Sequence, residues 1–156
     1  KLICGQPLPY AGEFFVPKGL TISYLPQHTN HLSGTLAAFE REHGLDASLF
    51  RAILRKLDFS REQFDKRLEE YSAGQKKKVL LAKSLCEPAH LYVWDEPLNF
   101  IDLFSRMQIE ELIKASGATM VFVEHDRAFL DRCATRVISL PESEEKPLQS
   151  GEKTVR

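Results

Sequence analysis

Along the chain the spacing of apolar residues changes several times, and each change predicts a different element. Gly12 to Gln27, GEFFVPKGLTISYLPQ, holds two runs rich in β-branched and aromatic residues, EFFV and LTISYL, with a Pro17-Lys18-Gly19 turn between them. That pattern predicts two short strands. From Ser33 to about Glu70 the apolar positions recur at helical spacing. SGTLAAFEREHG offers a cap at Ser33 and a stop at Gly44, DASLFRAILRKL opens at Asp46, and SREQFDKRLEE is a third, shorter candidate. A small helical insert is expected there, and with the next helix it makes a helical subdomain over about 33–85.

Gly74 to Cys86 is predicted helical, with Val79, Leu80, Leu81 and Leu85 opposite Lys76, Lys77 and Lys83. Leu91 to Trp94 is a buried type of strand that ends in Asp95 and Glu96. IDLFSRMQIEELIKASG reads as a helix with Asp102 near its start and Gly117 after its end. ATMVFVEHD is a second apolar strand, Asp126 to Cys133 a short helix, and TRVISL a last strand. Residues 142–156 are a polar tail. Strands alternating with helices predict an α/β fold with a parallel core sheet.

Composition narrows the class. A chain of 156 residues with 43% apolar and 28% charged residues fits one ordinary globular domain. Its net charge of −1 supplies no global field for nucleic acid or anionic lipid, so any such contact needs a local patch. Cys4, Cys86 and Cys133 are odd in number and widely spaced, which suits reduced thiols of a cytosolic protein. No apolar run approaches the roughly 20 residues of a membrane span, and Lys1 to Gly5 has no signal-peptide pattern. The abrupt opening KLICG, without a methionine, suggests a fragment.

Candidate chemistry gathers at three places. Adjacent carboxylates delivered by an apolar strand to a sheet edge can divide two tasks. Asp95 would hold Mg²⁺ while Glu96 polarises an attacking water; the alternative is that both only start a turn before Pro97. His125 ends the other apolar strand, either as a donor to a phosphate oxygen or as a structural histidine. Ser72-Ala73-Gly74-Gln75 opens a helix: Ser72 and Gln75 can form a capping box, or the same terminus can hold a phosphate. Gly74 within the first turn costs about 1 kcal/mol against alanine, which favours a ligand weakly.

Taken in order, these elements resemble the nucleotide-binding domain of ABC ATPases. Gln27 in YLPQ matches the Q-loop, YSAGQ the signature motif, and LYVWDE the Walker B strand with its glutamate. PLNFID matches the D-loop with Asp102 as its aspartate, and VEHD the switch histidine. The resemblance runs from Lys1 to about Leu140. It implies a P-loop NTPase-like partial ABC domain over 1–141, with a small helical subdomain and a short antiparallel β part. PLNFIDLFSRMQIEELI and EHDRAFLD look like the ABC-F proteins, which carry two fused nucleotide-binding domains and no membrane part. GQKKKVLLAKSLCEPAHLYVWDEPLNFID looks closest to members that protect ribosomes from antibiotics. A signature ending in Gln, with a polar tail soon after the last strand, suggests the second of the two domains.

The phosphate-binding loop G-x-x-x-x-G-K-[ST] is absent; neither Lys83-Ser84 nor Lys153-Thr154 has the required glycines. KLICG resembles the end of the helix that follows that loop, so the chain is expected to begin just after it and to be inactive alone. The resemblance implies ATP and Mg²⁺ as cofactors, a cytoplasmic ATPase, and a second nucleotide-binding domain as partner. Gln27, Glu96 and His125 would be catalytic, and Asp95 with Gln27 would face the metal. Ser72, Ala73, Gly74 and Gln75 would contact a nucleotide held by the partner, while Asp102 communicates across the interface. Ribosomal RNA is the implied further partner. Lys76, Lys77 and Lys78 could touch its phosphates, but a solvated helix face is the simpler account. Two other readings remain: the ATPase subunit of a membrane transporter, docked by the insert on a separate membrane partner, and a non-hydrolytic, ATP-gated interaction module.

Overall fold

In the computed structural model, which describes residues 1–139, three short parallel strands form one sheet flanked by helices. Strand β1 is Ile22–Leu25, β2 Leu91–Asp95 and β3 Met120–Val123, in spatial order β1-β2-β3. The register pairs Leu25 with Trp94 and Asp95 with Val123, so the carboxyl ends of all three strands reach one edge. Between β1 and β2 lie α1 (Leu36–Glu42), α2 (Ala47–Lys56) and α3 (Ala73–Cys86); α4 (Leu103–Ser116) joins β2 to β3, and α5 (Arg127–Cys133) follows.

Helix starts follow the short polar residues in the sequence. The side chains of Asp46, Ser72, Asp102 and Asp126 each accept a hydrogen bond from the backbone N–H three residues on. Gly44 and Gly117 sit in left-handed conformations just past α1 and α4, as their placement predicted. Helix α1 is capped by Thr35 rather than Ser33, because the extended backbone at Thr35 directs its hydroxyl to Ala38 N–H, 3.2 Å away.

Three expected elements differ. The EFFV run forms no strand, and Phe15 is 84% exposed; among the described residues no strand lies beside it to complete a ladder. The only antiparallel pairing among the described residues is the isolated bridge between Thr35 and Arg67. That bridge needs extended backbone, and Leu68 N–H donates to Gly34 O at 2.8 Å. The third helix candidate is therefore two 3-10 turns, Arg61–Asp65 and Leu68–Glu70. Thr135 to Ser139 is unpaired; Leu140 and the predicted tail lie outside the described residues.

The core runs from Phe50 and Leu54 of α2, through Val79 and Leu81 of α3, to Leu25 and Trp94 of the sheet and Ile109 of α4. The Trp94 indole N–H donates to Ser84 Oγ at 2.9 Å, and Ser84 Oγ lies 2.7 Å from Ser23 Oγ, which fastens α3 to two strands. All three cysteines are free, and burial pushes the Cys86 thiol up to about 11. Among the described residues no helix is long and apolar enough to cross a membrane.

Candidate functional site

The strand ends bring Gln27, Asp95 and Glu96 together. Gln27 Nε2 donates to Glu96 Oε2 at 2.8 Å, and the Asn99 side-chain amide donates to the same oxygen. Glu96 Oε1 is left without a protein donor among the described residues. Glu96 itself has φ of 47°, a left-handed conformation that costs a non-glycine residue about 1–2 kcal/mol. It is held there by its own N–H to Val123 O at 3.0 Å. Asp95 ends β2 half-buried beside Tyr24 of β1; burial and the Asp95 carboxylate both push the Tyr24 phenol up.

His125 stands two residues past β3, exposed on the same edge. Its position is set by Glu124, whose Oε1 accepts from His125 N–H at 2.7 Å and Asp126 N–H at 3.3 Å. Glu124 Oε2 accepts from Leu98 N–H at 3.3 Å, tying the turn after β2 to the turn after β3. Glu124 and Asn99 escaped the sequence reading, although Asn99 lies three residues after Glu96, a spacing that allows turn contacts.

At the start of α3 the capping box is formed: Ser72 Oγ accepts from Gln75 N–H at 3.2 Å, and Gln75 Oε1 accepts from Ser72 N–H at 2.9 Å. Ser72 and Ala73 are exposed. Gly74 has an internal reason to be glycine, since a Cβ there would lie 2.4 Å from the Phe100 carbonyl oxygen. The glycine therefore no longer argues for a ligand by itself. Phe100, at φ 63°, is a second left-handed non-glycine residue, and it belongs to the turn leading to Asp102.

The run Lys76, Lys77 and Lys78 in α3 is not a solvated face. Lys76 is half-buried, Lys77 is 0% exposed and Lys78 is 7% exposed. Lys77 lies three, four and seven residues before the buried Leu80, Leu81 and Ser84, so helical spacing does put it on the core stripe. Its Nζ donates to Pro26 O at 3.0 Å, Asp95 O at 3.1 Å and Gln27 O at 3.5 Å. Burial lowers its pKa to about 8, while the Asp95, Glu96 and Glu124 carboxylates favour the charged form. Lys78 Nζ pairs with Asp102 Oδ2 at 2.7 Å. Asp102 also caps α4 by accepting from Ser105 N–H at 2.8 Å and Ser105 Oγ at 2.9 Å. Burial raises its carboxyl, but the Lys78 ammonium and Ser105 outweigh that and hold it at about 2.

The donor set at the edge suits magnesium, which takes one or two carboxylates and completes its shell with water and substrate phosphates. Asp95 offers the carboxylate, and the Gln27 amide oxygen has no protein donor among the described residues. No group of three His, Cys, Asp or Glu side chains forms a protein-only cage among the described residues, so phosphate oxygens would be needed. Lys83 and Ser84 do not replace the missing phosphate loop: Lys83 pairs with Glu87, and Ser84 accepts from Trp94.

A family model described as ABC transporter matches residues 1–99. The ATP-binding protein Uup of Buchnera aphidicola (subsp. Acyrthosiphon pisum) is 29% identical over 144 residues, which cover 87% of this chain and 24% of that protein. ABC transporter F family member 2 of Arabidopsis thaliana is 29% identical over 146 residues, 90% of this chain and 22% of that one. Among solved structures, the complex of an archaeal ribosomal stalk protein with the archaeal ribosome recycling factor aABCE1 superposes with a TM-score of 0.66. At 24% identity over 85% of this chain and 26% of that one, it shows a shared fold. The chain spans about a quarter of the length of the curated relatives it matches.

Proposed function

Because the chain belongs to the ABC transporter family, we propose that it forms part of an ATP-hydrolysing domain of ABC-F type that acts at the ribosome. The carrying observation is the Gln27–Glu96 hydrogen bond beside Asp95, on the edge where an α/β sheet presents its ligands. In this reading Glu96, with Oε1 free of protein donors, orients the attacking water and takes its proton. Gln27 steers Glu96, and His125 donates to the γ-phosphate from the neighbouring strand end. Asp95, with the Gln27 amide oxygen, would hold magnesium, which would neutralise phosphate charge.

Ser72, Ala73, Gly74 and Gln75 serve a nucleotide held by a second nucleotide-binding domain, since a helix N-terminus attracts anions and Ser72 and Ala73 stand exposed there. Asp102 stands beside that terminus through Lys78. The chain alone is expected to hydrolyse ATP negligibly. Support for the ribosome comes from relatives named as F family members and from a structural neighbour crystallised with a ribosomal stalk protein. Action against antibiotics and a cytoplasmic setting are extensions of the same reading.

The test is ATP turnover by the full-length protein and its Glu96→Gln variant, with sedimentation on ribosomes in the presence of ATP. The variant should lose turnover by about a hundredfold or more and be retained on ribosomes. Equal turnover removes Glu96 from catalysis, and recovery with a membrane partner instead of ribosomes favours the transporter reading.

A further inference from the structure

Lys77 is a fully buried ammonium with no role in the scheme above. Its three donors meet three backbone carbonyls, those of Pro26, Asp95 and Gln27. Pro26 follows Leu25, and Asp95 follows Trp94; Leu25 and Trp94 are register partners on adjacent strands. The ammonium therefore bridges β1 and β2 at the point where both chains leave the sheet. One peptide further along each chain stand Gln27 and Glu96, whose side chains bond each other at 2.8 Å.

Replacing a buried charge with an apolar side chain of similar shape is often neutral or stabilising, so packing alone does not account for an ammonium here. Carbonyl groups held by a charged donor are, however, fixed in direction as well as distance. Because Lys77 sits one turn into α3, the same helix whose first turn carries Ser72 and Gln75, the strand ends are fixed relative to that terminus.

We propose that Lys77 is a positioning residue: its ammonium sets the spacing of the Pro26 and Asp95 carbonyls, and so the aim of Gln27 and Glu96, from helix α3. The consequence for turnover rests on the catalytic reading of Gln27 and Glu96; the effect on strand ends does not.

The test is hydrogen exchange of the wild-type chain and Lys77→Met, a variant that keeps the length and loses the ammonium. Exchange should quicken by about tenfold or more at the ends of β1 and β2, over residues 24–25 and 95–99, with the α2 and α4 amides unchanged. Unchanged rates at the two strand ends would overturn the proposal. So would a uniform rise throughout the chain, which reports lost stability rather than lost aim. If Lys77→Met does not fold, Lys77→Gln is judged by the same criterion. In the full-length protein Lys77→Met should lower kcat about tenfold with KM for ATP within about threefold. Wild-type protein that fails to hydrolyse ATP would sink the catalytic reading and leave the exchange result standing; hydrolysis with kcat unaltered by Lys77→Met would overturn the positioning role.

Discussion

Gln27, two residues past β1, donates from Nε2 to Oε2 of Glu96, the residue after β2, at 2.8 Å, so the chains leaving the two strands meet through side chains. Gln27→Leu removes that donor without adding charge. In full-length protein the expected result is a kcat lower by about tenfold to a hundredfold, the range for a hydrogen bond to a charged group. Thermal melting, which depends little on this half-buried contact, should move by no more than a few degrees. A variant with wild-type kcat would dissociate Gln27 from the chemistry.

Gly74 leaves no room for a side chain against the Phe100 carbonyl. Gly74→Ala would put a methyl 2.4 Å from a backbone oxygen, so the start of α3 or the turn before Asp102 must shift. A loss of about 1–3 kcal/mol is expected in urea unfolding. Phe100→Gly should do the reverse: its ring is 74% exposed and its φ is 63°, so relief of strain would add about 0.5–1 kcal/mol.

Acid should release the Lys78–Asp102 pair. The folded carboxyl titrates at about 2, below its ordinary value of 3.8, so the pair's stabilisation is complete above that ordinary value. It drains away as pH falls from about 4 through 2. Asp102→Asn keeps a capping residue and loses the charge. Urea midpoints measured between pH 2 and 5 should fall less steeply in this variant than in wild type.

Trp94 is the only tryptophan in the sequence and donates to Ser84 Oγ inside the core. Ser84→Ala strands that indole N–H, and a loss of about 1–3 kcal/mol is expected. The fluorescence of Trp94 should change in the folded state at the same time, with α3 retained by circular dichroism.

Helices with their own start signals were legible in advance. Asp46, Ser72, Asp102 and Asp126 each cap the helix they precede, because capping is settled within four residues. A strand forms where a neighbour exists: LTISYL contains β1 because β2 lies beside it, whereas among the described residues EFFV has no ladder to join. The site divides the same way. Asp95, Glu96 and His125 follow strands whose apolar runs announce them, but Glu124 acts through a turn contact to Leu98 that depends on β2 and β3 being neighbours. Lys77 carries a charge that suggests water, while its spacing from Leu80, Leu81 and Ser84 points inward, and the spacing prevails.

The reciprocal bonds between Ser72 and Gln75 have a kinetic and thermodynamic consequence for whatever anion reaches α3. The first turn is already wound and its cap closed, so the chain has no end to order when a ligand arrives. Binding there would draw on N–H groups held in advance, with little conformational entropy left to lose. Opening the cap with Ser72→Ala would then weaken the site twice, by removing a hydroxyl and by making each encounter wait for a frayed helix to reform.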